Sequence, residues 1–154
     1  MSDGRDETEE ERFDRLWDDL LQELRVMQTG AQLTAGFLLT LPFQSLFWDL
    51  DDFDRRLYLA LVLLAALTTA FVMAPIAVHR RLAGRHVKER VVAVAHRLLY
   101  GVLTCLGLLL TGMVMLIFDV VVDRTWAFVT AGCMALVIVA LSVLLPFGLV
   151  RDRE

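Results

Sequence analysis

Four long apolar runs, separated by short polar turns, fill most of the chain and leave few folds open to it. Each run is long enough for a helix to cross a bilayer, where backbone N–H and C=O groups must be bonded within the segment itself. Hydrophobic residues make up 57% of the sequence and mean hydropathy is +0.59, above the roughly 45–50% apolar content of soluble domains. The excess is gathered in the runs, so it reads as membrane and not as a large soluble core. The predicted fold is all-α: a four-transmembrane-helix bundle with spans near residues 26–48, 57–78, 95–122 and 126–150. An acidic tail and amphipathic cytoplasmic helix over residues 1–25 precede it.

Orientation follows from the turn between the second and third runs. There Arg80, Arg81, Arg85, Lys88 and Arg90 stand against one acid, Glu89. Loops this short and basic stay on the cytoplasmic side. With that turn inside, twelve basic residues lie on the inner side and three, Arg55, Arg56 and Arg124, on the outer. The expected protein is multi-pass in the plasma membrane with both termini cytoplasmic. His79, Arg80, Arg81, Arg85, Lys88 and Arg90 are candidate lipid-headgroup contacts. His86 and His96, beside arginines at the same boundary, are read that way rather than as catalysts. No basic stretch leads into an apolar one at the start, so a cleaved signal peptide is not expected.

The first 25 residues carry ten acids against four arginines. Such a tail repels phosphate, which argues against nucleic acid and against anionic lipid as partners. Thr8 and Glu11 have the spacing of a capping box. Phe13, Leu16, Trp17, Leu20, Leu24 and Met27 then recur at helical spacing, with Asp14, Asp18, Asp19 and Glu23 elsewhere on the wheel. Two readings stand. The helix packs beneath its own bundle, its acidic charge against the basic turn; or it docks on another protein or a second copy through Phe13, Leu16, Trp17, Leu20 and Leu24.

The first span is the least apolar. Gln28, Gln32, Gly36, Thr40 and Gln44 fall every fourth residue, with Thr29 and Thr34 beside them. Lipid does not solvate amides, so this stripe is expected to face other helices. Each hydrogen bond made there is worth about 0.6 kcal/mol. The functional alternative is one wall of a polar path for a proton or cation, using Gln28, Thr29, Gln32, Thr40, Gln44 and the acid Asp119. Asp119 lies in the last turns of the third run, beside Asp123 and Arg124, and is expected there as a solvated end residue.

Asp49, Asp51, Asp52 and Asp54 crowd the first outer connection. Their spacing lacks the glycine and glutamate of a calcium loop, so a helix cap at Asp51 or Asp52 is preferred, with Trp48 and Tyr58 as interface anchors. Gly101, Thr104, Gly107, Thr111 and Gly112 give the third span a side that lets backbones approach closely. Pro42, Pro75 and Pro146 fall near span ends, where they bend or stop a helix. Cys105 and Cys133 read as apolar fillers at different depths. No metal, cofactor or catalytic set is expected.

Three stretches carry a resemblance: Glu23-Leu24-Arg25-Val26-Met27-Gln28-Thr29-Gly30-Ala31-Gln32, then Phe37-Leu38-Leu39-Thr40-Leu41-Pro42-Phe43, then Pro75-Ile76-Ala77-Val78-His79-Arg80. With them the chain resembles a family of small four-helix membrane proteins of unknown function common in actinobacteria, some labelled sodium/proton antiporters. The resemblance implies a fold and a plasma-membrane address, and marks Gln28, Thr29, Gln32, Pro42, His79 and Arg80. It implies no reaction. The sequence thus predicts a non-enzymatic, self-associating structural or regulatory bundle, with a small proton or cation transporter or channel as the alternative.

Overall fold

The computed structural model describes residues 8–82 and 88–144. Four helices follow one another: α1 (Glu9–Thr40), α2 (Asp52–Leu82), α3 (Lys88–Val121) and α4 (Arg124–Val139). Two 3-10 turns, Leu41–Phe43 and Ser45–Asp49, join α1 to α2, and α4 runs on into a π-turn over Ala140–Leu144. The described residues contain no strand.

The capping box starts α1. The Thr8 hydroxyl accepts from the Glu11 N–H at 3.4 Å, and the Glu11 carboxylate accepts from the Thr8 N–H at 2.9 Å. From there one helix runs unbroken for 32 residues, about 48 Å. The tail helix, expected to continue without a breaker into the first span, does so as one rod. The span expected over residues 26–48 is shorter at its far end. The α-helix stops at Thr40, and Pro42, which has no N–H to donate, sits in the first 3-10 turn.

Three helices are long and apolar enough to cross a membrane: Asp52–Pro75, Arg97–Val121 and Arg124–Val143. The polar residues of α1 keep it out of that set. It nevertheless lies alongside them. Leu38 shares a buried cluster with Tyr58, Leu61, Ala65, Leu109 and Leu116. About four to five turns toward the N-terminus, Leu20 and Leu24 share another with Val72, Leu99 and Val102.

The centre of the bundle is α3, which packs against α1, α2 and α4. Its glycines make this possible. A Cβ added at Gly112 would collide with the Leu61 side chain of α2, and one at Gly107 would press Ile138 of α4 at 3.0 Å. The backbone of α4 leans on α3 alone among the described helices. Its first turns meet α2 through side chains, Phe128 tilting against Phe53 at 6.2 Å.

Candidate functional site

Antiparallel helices bring the start of α2, the end of α3 and the start of α4 to one end of the bundle, and charged residues meet there. Asp51 caps α2. Its Oδ1 accepts from the N–H groups of Phe53 and Asp54, both at 2.9 Å, closing donors that a helix start leaves open. Its Oδ2 is then free to accept from Arg124 Nη2 at 2.7 Å. Asp123 caps α4 in the same manner, accepting from Thr125 and Trp126.

Arg124 is the hub. A cation in the first turn of a helix opposes the macrodipole, and carboxylates on two other elements offset that cost. Besides Asp51, Asp119 Oδ2 on α3 lies 2.6 Å from Arg124 Nε, and Asp54 Oδ2 on α2 lies 4.0 Å from Nη2. The contact to Asp119 is a close charge pair set off the N–H axis, not a linear hydrogen bond. The guanidinium also rests 4.1 Å above the Phe53 ring, a cation–π contact.

Burial divides the cluster. The side chains of Asp119 and Asp54 are 5% and 9% exposed, against 58% for Asp51 and 41% for Arg124. Asp119 is thus no solvated end residue: α3 carries it beneath α4, and Arg124 reaches in to it. Asp54 and Asp119 thus share the Arg124 guanidinium, while Asp54 Oδ1 has no hydrogen-bond partner. The backbone N–H of Asp54, then the Arg124 guanidinium, hold the Asp51 carboxyl below its usual range. Among the described residues no three of His, Cys, Asp and Glu converge as a metal-holding group.

The amide stripe of α1, expected to face other helices, does not face those of its own chain. Thr29, Gln32, Gly36, Thr40 and Gln44 are exposed and Gln28 is half-buried. Leu20, Leu24, Ala31 and Leu38 take the bundle side instead. The hydroxyls of Thr29, Thr34 and Thr40 bond to their own helix, accepted by the carbonyls of Arg25, Gly30 and Phe37. Gln44 reaches the wall of an apolar cleft of about 280 Å³ between the end of α1 and α3, beside Phe37, Met113 and Leu116.

Of the residues weighed as partner contacts, Leu20 and Leu24 are buried within the chain, and Leu16 and Trp17 are half-buried. The Phe13 side chain lies outside the described residues. So does Arg85, and so do the side chains of His79, Arg80, Arg81, Lys88 and Arg90, whose backbones end α2 and begin α3. Cys105 and Cys133 are free thiols.

Sequence reasoning named Asp119 and an Asp51 cap but missed Asp54 and the role of Arg124. A signal existed. Two turns at the same end of an antiparallel bundle lie at one level, so residues 51–54 and 119–124 are neighbours once the spans are laid out.

A family model described as a family of unknown function, DUF6328, matches residues 6–146. No curated protein and no solved structure matches the chain. With nearly its whole length covered, the chain belongs to the DUF6328 family.

Proposed function

We propose that the chain is a non-enzymatic integral membrane protein, a four-pass bundle in the plasma membrane with both termini cytoplasmic. It works by association, with itself or with a protein partner, in a structural or regulatory role. Three apolar helices and a fourth at the same depth support the membrane setting. The excess of basic residues on the 79–90 turn supports the orientation. Because Leu20 and Leu24 are taken up by α2 and α3, a partner contact on α1 falls to its other side.

The observation that carries this reading is the clasp on Asp119. A carrier needs an acid that exchanges its bound ion with water. Here Asp119 faces a guanidinium that Asp51 also holds, through a second nitrogen. That arrangement pins helices together. The second reading, a small proton or cation transporter, is favoured by one fact: Asp54 Oδ1 is buried with no partner.

Reconstitution in liposomes separates the two. The expected result is no proton or sodium flux under an imposed gradient, and no change with Asp119→Asn. A gradient-driven flux that Asp119→Asn abolishes would replace the structural reading with the transport one.

A further inference from the structure

Cluster by cluster, the packing sets the depth of α1. Leu24 lies level with Val72 near the inner end of the Asp52–Pro75 span, and Leu38 level with Tyr58 and Leu61 near its outer end. Gln32, midway between Leu24 and Leu38, is therefore near the middle of the hydrocarbon. It is exposed, and its amide makes no hydrogen bond to any described residue. Thr29, Leu33, Gly36 and Thr40 are exposed along the same side of the helix. Over Gly36 nothing stands within 4 Å of where a Cβ would be.

We infer that a second copy of this chain covers this face, with the two α1 helices crossing at Gln32 and Gly36. The inference rests on the membrane reading above and names the partner for it. Hydrocarbon offers an amide no hydrogen bond, and this chain offers none either. The carboxamide is both donor and acceptor, so it is satisfied by its own kind. All copies insert in one orientation, so Gln32 of each copy stands at the same depth. A two-fold axis along the membrane normal then brings the two amides together without further design. An unrelated partner would have to carry a polar group at that one depth. Gly36, one turn further on, removes the Cβ that would hold the backbones apart. Toward the inner end the contact stops, because Arg25 occupies the same side and two copies would repel there.

The test uses the full chain with Cys105→Ala and Cys133→Ala, reconstituted in liposomes over a range of protein-to-lipid ratios. Single cysteines are placed by Thr29→Cys, Gly36→Cys or, on the outward side of α4, Val137→Cys. With copper phenanthroline, an oxidant that enters the bilayer, disulfide crosslinking is expected between copies at the first two and not at the third. By energy transfer between labelled copies, Gln32→Leu is expected to weaken association about 3- to 10-fold, the size of one interhelical hydrogen bond in a bilayer. The residue is exposed, so the substitution leaves the monomer's packing intact. Monomers at every ratio would overturn the inference. So would crosslinks through α4 in place of α1, or α1 crosslinks in cells to a different protein with none between copies. Gradient-driven flux in the same liposomes would sink the structural reading and leave this interface standing.

Discussion

Arg124 Nη2 lies 2.7 Å from Asp51 Oδ2 although 73 positions separate the two residues, and the same guanidinium reaches Asp119 at 2.6 Å. One side chain thus ties the start of α2 and the end of α3 to the start of α4. Since α4 otherwise leans on α3 alone, this tie fixes where α4 begins.

Removing the hub strands charge. Arg124→Ala leaves Asp119 and Asp54 buried with no cation, a costlier state than losing both partners together. Thermal unfolding in detergent is expected to show a clear drop in Tm for Arg124→Ala. Most of that drop should return when Asp119→Asn is added. Arg124→Lys should recover only a part, because a compact ammonium cannot serve two carboxylates in two directions. Wild-type stability for Arg124→Ala would mean the cluster is ornamental.

Acid should loosen the same joint through Asp51. Two influences, the Asp54 N–H first and Arg124 second, keep its carboxyl ionised below the ordinary value of 3.8. A group depressed on folding adds stability that is present in full above its unfolded pKa and lost as pH falls through the folded one. The stability difference between wild type and Asp51→Asn should therefore be constant above about pH 4 and shrink below it. A difference that stays flat down to pH 2–3 would exclude this linkage.

Gly112 predicts a packing cost. Its missing Cβ leaves room that the Leu61 side chain already fills, and Leu61 is buried in the larger cluster. Gly112→Ala should destabilise by about 1–3 kcal/mol, the usual cost of overpacking a tight core. Leu61→Ala alone opens a cavity, costing about 2–5 kcal/mol. The double variant should cost less than the sum, since the added methyl enters the space that leucine vacates. Strict additivity, measured by denaturant unfolding, would show that the two sites are not in contact.

Much of this architecture was legible from residue order. Apolar length located α2, α3 and α4, Thr8 and Glu11 located the first cap, and Asp51 capped α2 as its place before a helix implied. The glycines of α3 announced close neighbours, though not which helix each would meet. Polarity implied that Gln32 and Thr29 face other helices, but not which ones; within the chain Leu20, Leu24, Ala31 and Leu38 take the bundle side. A one-dimensional pattern locates a polar stripe but does not say whether its own chain or another copy satisfies it. The Arg124 cluster was hidden for a related reason: its members are close only after two hairpins have closed.

Topology offers the last check, because the charge argument and the packing argument can be tested on one set of variants. The proposed orientation puts the basic 79–90 turn inside, and the proposed membrane setting puts Gln32, between two buried clusters, in the hydrocarbon. In the background lacking Cys105 and Cys133, Asp49→Cys should react with an impermeant maleimide added outside intact cells. Arg85→Cys should react only after the membrane is opened. Gln32→Cys should stay unreactive from both sides, since a thiol needs water nearby to form the attacking thiolate. Labelling of Arg85→Cys from outside would invert the orientation and leave the helix packing unchanged. Labelling of Gln32→Cys would instead put water beside the middle of α1. The exposed amide would then line an aqueous path, not a dry contact between two copies.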